Sequence, residues 1–207
     1  MTEESWADFR LTAFGEPYMV WHDGPDFSAL RDHWRSEPER VERMLFEGLA
    51  TSDDLAAQAI GELHDLAGDA APRFEAALRE RLPGSFGSRR VRIAESLRAF
   101  TGSDEWDRHV GQSLDEPNFW SERITAAMAL RRARPTPELI DVLARGTQDE
   151  EYLVRYHSAN SLAAWGKGTA IEDRDDLFGD LVSDAGPDRW AKVTAVLADE
   201  ARATLRI

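Results

Sequence analysis

The chain has 207 residues, 42% of them hydrophobic and 9% aromatic with seven Trp, which is enough apolar material for one folded domain or two small ones and excludes a disordered chain. It carries 39 acids against 25 bases, a formal charge of −14, and its only lysines are Lys167 and Lys192. So acidic a surface repels nucleic acid at long range and favours basic partners. Cysteine is absent, which removes disulfides, thiolate metal sites and a Cys nucleophile and fits the cytoplasm.

In chain order, the start MTEESWADFR is acidic and lacks the basic-then-apolar order of a signal peptide. No later run of about 18 apolar residues is long enough for a membrane span. Residues 1–37 are expected to form an arm and a capping helix. The stretch FRLTAFGEPYMVWHDGPDF (9–27) holds Phe9, Phe14, Tyr18, Trp21 and Phe27 around turns at Gly15-Glu16-Pro17 and Gly24-Pro25. It reads as a short hairpin or irregular arm, followed by a lone helix over Asp26–Trp34.

From residue 38 to 207, helix-period segments recur with Gly, Pro or Asp between them. First helices are expected at Pro38–Leu49, Pro72–Leu82, Trp106–Leu114, Pro137–Leu143 and Asp175–Leu181. Between them lie segments that align without gaps: SRRVRIAESL (88–97), SERITAAMAL (121–130) and LVRYHSANSL (153–162). Each has Arg, then Ala four residues on, then Leu three further: Arg90/Ala94/Leu97, Arg123/Ala127/Leu130 and Arg155/Ala159/Leu162. LAAQAIGEL, ending at Leu63, is an earlier copy with Ala56 at the Arg position, and RWAKVTAVL, ending at Leu197, is a later one with Trp190 there. The final leucines follow one another at 34, 33, 32 and 35 residues. One hairpin of that length cannot cover its own apolar face, so about five must stack into an all-α solenoid.

Positions i, i+4 and i+7 lie within about 60° of one another around a helix. Arg90, Arg123 and Arg155 therefore point into the stack with the Ala and Leu residues, where an unpaired charge would be costly. Acids in the turns before the second helices, Asp53, Asp115, Asp149 and Asp184, can supply acceptors. An Arg–Asp ladder between adjacent hairpins follows, although the turn before Arg90, Gly84-Ser85-Phe86-Gly87, carries no acid.

Turn Asp, then Val-Arg, then Ala and Leu at this period resembles the HEAT repeat, most of all the short bacterial kind also seen in phycobilin lyases. DEEYLVRYHSANSL (149–162) is the best copy, and the resemblance covers roughly residues 38–205. It implies a right-handed α-α superhelix whose second helices line a concave face. The end copies depart at the Arg, as capping positions without an outer neighbour would.

With the Arg-Ala-Leu stripe inward, the opposite face presents Arg92, Glu95, Met128, Arg132, Tyr156, His157, Asn160 and Lys192. Exposed Arg, Tyr and Met are residues that protein interfaces favour. Acids concentrate elsewhere, in SEPERVE (36–42), GSDEWD (102–107), TQDEE (147–151) and IEDRDD (171–176), giving an acidic rim beside a mixed groove. Neither HExxH nor an i, i+4 histidine pair occurs among His22, His33, His64, His109 and His157, so no metal site is expected. The iron-binding hydroxylase with HEAT repeats uses His-Glu dipeptides, which this chain lacks. No Gly-x-Ser-x-Gly and no phosphate loop is present, so neither a catalytic residue nor a cofactor is assigned.

These features point to a non-enzymatic scaffold that binds another protein. Small acidic HEAT-like proteins without cysteine resemble immunity proteins that neutralise secreted bacterial toxins, many of them basic, and electrostatic steering would speed that association. The rival is a HEAT-like nucleic-acid-binding protein or alkylpurine DNA glycosylase that uses Arg92, Arg132 and Lys192. Three bases beside Asp65, Glu95 and Asp199 give no excess to hold phosphates.

Overall fold

The computed structural model describes residues 4–182 and 186–205, apart from the Trp21 side chain. All secondary structure among these residues is helical. The helices are α1 (Trp6–Phe14), α2 (Pro17–Asp23), α3 (Ser28–Ser36), α4 (Pro38–Ala50), α5 (Asp54–Glu62), α6 (Ala71–Arg81), α7 (Gly87–Thr101), α8 (Asp107–Asp115), α9 (Trp120–Leu130), α10 (Pro137–Gly146), α11 (Tyr152–Lys167), α12 (Asp175–Val182) and α13 (Pro187–Thr204). No described helix is long and apolar enough to cross a membrane.

Local chemistry sets the helix ends. Pro17, Pro38, Pro72, Pro137 and Pro187 occupy first-turn positions, where the missing N–H has no intrahelical partner to lose. Asp53 accepts from Leu55 N at 2.9 Å, and Thr136 from Leu139 N at 3.3 Å, capping α5 and α10. Gly168 stops α11 in the left-handed region, at φ +68°.

The arm is helical, not irregular. Ser5 and Asp8 form a reciprocal capping box that starts α1, and Pro17 starts α2, so the Gly and Pro turns separate helices rather than strands. Helix α1 is docked by its buried face of Trp6, Phe9, Ala13 and Phe14. Polar ties add to this: Trp6 N donates to Glu47 Oε1 at 2.8 Å, and Arg40 grips Glu4 through two bonds of 2.6 and 2.7 Å. Arg40 holds the Glu4 carboxyl below its usual range.

The chain forms two compact units that share α7. The N-terminal unit runs through Ser85 and includes Arg92–Ser103; the C-terminal unit comprises Phe86–Val91 and the residues from Asp104 on. In the N-terminal unit α1 packs on α3 and α4, and α4 pairs with α5. Its core joins Leu30, Met44, Leu45, Ile60, Phe74 and Leu97, all buried. In the C-terminal unit α8/α9, α10/α11 and α12/α13 are antiparallel-type hairpin pairs by their short connections, and α9, α11 and α13 also meet in sequence. Its core is built from Ala127, Leu130, Ile140, Leu143, Ala159, Leu162 and Leu197.

Candidate functional site

Two rungs lie within the C-terminal unit. Arg90 Nη1 lies 2.6 Å from Glu116 Oε1, and Arg123 Nη2 lies 2.9 Å from Asp149 Oδ1. Each arginine reaches 26 residues ahead, to the turn of the following hairpin. The Arg90 and Arg123 side chains are 13% and 21% exposed, so these pairs are more shielded from water and salt than an ordinary surface bridge.

Asp115 is not in the ladder. Its neighbour Glu116 takes Arg90, while Asp115 faces outward and accepts from Arg145 Nε at 2.9 Å. A loop residue's direction depends on the turn's own geometry, and here the first residue past α8 is the one that turns toward α7.

Arg155 is 4% exposed. Its Nη1 donates to the carbonyls of Asp149 and Glu150 at 2.8 and 2.9 Å, and its guanidinium carbon stands 3.8 Å from the centre of the Trp190 ring. Carbonyl dipoles and an aromatic face thus stabilise the buried charge. Asp184, the expected carboxylate of that rung, lies outside the described residues.

Asp53 serves the arm. Its Oδ2 accepts from Trp6 Nε1 at 2.9 Å and from Arg10 Nη1 at 3.0 Å. The Trp6 ring fills the space beside Ala56, where later copies carry Arg, and a Cβ on Gly48 would come within 2.7 Å of both.

Two buried serines, at the position before the final Leu of their copies, went unread in the sequence. Ser96 Oγ donates to Ala57 O at 2.7 Å, and Ser161 Oγ to Ala127 O at 2.8 Å. The shared Ser-Leu of AESL and ANSL was the available signal.

The eight concave-face candidates fare differently. Arg92 and Glu95, on α7 in the N-terminal unit, bond to each other at 3.1 Å. Met128 is 50% exposed, and Arg132 and Lys192 are exposed. Asn160 is buried, and its Oδ1 accepts from Ile171 N at 3.2 Å. The opposite face of α11 is not free at that level, because the connection to α12 folds back over it. Half-buried Tyr156 and His157 meet edge to face, 4.8 Å between ring centres. Tyr156 donates its hydroxyl to Glu172. That bond pushes the phenol up to about 12 and holds the Glu172 carboxyl below its usual range. Burial pushes the His157 imidazole down, so it is neutral at pH 7. His109, on α8, is lowered in the same way by burial, with Arg108 and Arg90 adding to it.

Among the described residues no group of three or more His, Asp or Glu gathers to hold a metal ion. His22 Nδ1 does approach Asp23 Oδ1, at 2.7 Å, as an exposed pair at the end of α2. The C-terminal unit has an open cleft of about 510 Å³ lined by Arg90, Arg108, Gln112, Glu116, Glu138 and Leu139, among others. A second, of about 380 Å³, is lined by Arg123, Gln148, Asp149, Glu150 and Glu151. Both open at the turn edge, beside the rungs. Comparison with known proteins finds no matching family model, no similar curated protein and no similar solved structure.

Proposed function

We propose that the chain is a non-enzymatic, protein-binding scaffold of HEAT-like type, a right-handed superhelix of about five hairpins. Its sharpest form is an immunity protein that neutralises a basic bacterial toxin in the cytoplasm. The observation that carries the reading is the repeated tie between neighbouring hairpins, Arg90 to Glu116 and Arg123 to Asp149 at one sequence interval. Units joined in that way present a long, stiff surface whose side chains vary from copy to copy, which suits recognition of another folded protein. A charge of −14 favours a basic partner.

The nucleic-acid alternative has less support. Of its three cations, Arg92 is already neutralised by Glu95. A gel shift with duplex DNA at low salt should show no retardation.

The direct experiment immobilises the full chain, captures proteins from host lysate, identifies them by mass spectrometry and measures the association rate of the purified partner against ionic strength. The reading predicts a basic protein whose rate falls about tenfold or more between roughly 50 and 500 mM salt. Capture of nothing above background, or a rate indifferent to salt, contradicts it.

A further inference from the structure

An apolar row runs along one edge of the C-terminal unit. Phe86, Phe119 and Tyr152 follow one another at 33 residues, and so do Trp120 and Leu153. All five sit where a turn enters α7, α9 or α11, and they are between 39% and 65% exposed. Soluble surfaces scatter such side chains singly; five at register-equivalent positions of three consecutive copies form a patch.

Local contacts place the copies side by side. Glu122 at the start of α9 closes over Gly87 at the start of α7, and Arg123 beside it reaches Asp149 in the turn before α11. Packed helices stand about 8–10 Å apart, so the row spans roughly 20 Å. Phe119 and Trp120 lie 5.6 Å apart by ring centres, and Tyr152 lies 6.1 Å from Tyr156. The core does not require these rings, since a polar side chain would serve equally well at a solvated helix start.

Charge beside the row is negative. The cleft of about 380 Å³ is lined by Gln148, Asp149, Glu150, Glu151 and Arg123; Arg123 is paired with Asp149, and buried Arg155 is held by the carbonyls of Asp149 and Glu150. Glu150 and Glu151 remain exposed at its rim, outside the ion pairs of the described residues. Arg155 already stands 5.9 Å from the centre of the Tyr152 ring, and exposed carboxylates beside aromatic side chains receive a further guanidinium by charge-assisted hydrogen bonds and stacking.

We infer that this turn edge is a docking surface for an extended segment of another protein that alternates Arg with large apolar residues. The apolar side chains lie along Phe86, Phe119, Trp120 and Leu153, and an Arg enters the acidic cleft beside Tyr152. The inference rests on the protein-binding reading and moves its contact surface from the concave face to the turn edge.

The test titrates the full chain, labelled with ¹⁵N, with a synthetic peptide alternating Arg and Leu. About eight residues cover roughly 20 Å at 3.3 Å each with some overhang. Amide shifts should cluster at residues 86–90, 119–123 and 148–153. Replacing Phe119→Ser and Tyr152→Ser together should weaken binding about tenfold, and Met128→Ala with Arg132→Ala should leave it within about twofold. Circular dichroism should match across variants, since all four positions are exposed.

Shifts confined to Met128 and Arg132, unchanged affinity in the Phe119/Tyr152 variant, or equal binding of a Glu-Leu peptide would overturn the inference and leave the scaffold reading standing. So would absence of binding, or a self-associated chain in sedimentation whose dimer is broken by the Phe119/Tyr152 change, which would assign the row to a second copy. Peptide binding at the row without capture of any host protein would uphold the surface and remove the scaffold reading instead.

Discussion

The turn before α5 and the turns before α9 and α11 solve one problem with different donors. In the C-terminal unit, Glu116 and Asp149 receive an arginine from the preceding second helix. In the N-terminal unit no hairpin precedes Asp53, and α1 supplies Trp6 and Arg10 in place of it. The copy that lacks the arginine, at Ala56, is followed by the turn that lacks an acid, Gly84–Gly87. Donor and acceptor are therefore lost together. The comparison teaches that a turn keeps its carboxylate where the preceding helix offers a donor: Arg90 and Arg123 in the C-terminal unit, Trp6 and Arg10 in the arm.

Removing the arm's substitute donor is the most severe way to break the comparison. Trp6→Ala empties a site that is 5% exposed and strips Asp53 of one bond, and should cost about 3–5 kcal/mol by urea denaturation. Leu11→Ser, on the exposed side of the same helix, should cost less than about 0.5 kcal/mol. Arg155→Ala leaves two carbonyls without their cation and Trp190 without its stacked partner, a loss of about 2–3 kcal/mol. Arg155→Lys should recover only part of it, because an ammonium cannot lie flat on the ring. Ser96→Ala and Ser161→Ala should each cost about 1 kcal/mol, one in each unit.

Acid sharpens the contrast further. His109 and His157 both lie in the C-terminal unit, and both are held below the ordinary value of 6.5 by burial. The folded state therefore binds fewer protons than the unfolded chain. Their contribution is complete above pH 6.5 and is lost as pH falls through the depressed folded values. The urea midpoint should decline as pH falls below about 6.5, and His157→Gln should make that decline shallower.

Much of the fold was legible because it depends on period. The five first helices sit where Pro, Asp and apolar spacing place them, since a proline in the first turn and an apolar stripe are local facts. The arm departs from the irregular expectation because Gly and Pro turns bound helices as readily as strands, and the Ser5/Asp8 capping box is a local signal for a helix start. The site was less legible. Helical phase assigns one buried face, yet the connection to α12 covers the opposite side of α11, and Asn160 is enclosed there against Ile171 N. Period also cannot say which of Asp115 and Glu116 turns inward, since that is decided by the geometry of the turn after α8. The row from Phe86 to Leu153 was written in the sequence at a constant interval, but exposure of aromatics is a property of packing that spacing alone does not reveal.

A double-mutant cycle on Arg123 and Asp149, run beside one on the more exposed pair Arg145 and Asp115, tests the tie between hairpins most directly. The account predicts a coupling of about 1 kcal/mol for Arg123 with Asp149 and less than about 0.5 kcal/mol for Arg145 with Asp115. Equal couplings, or none for Arg123 with Asp149, would contradict it.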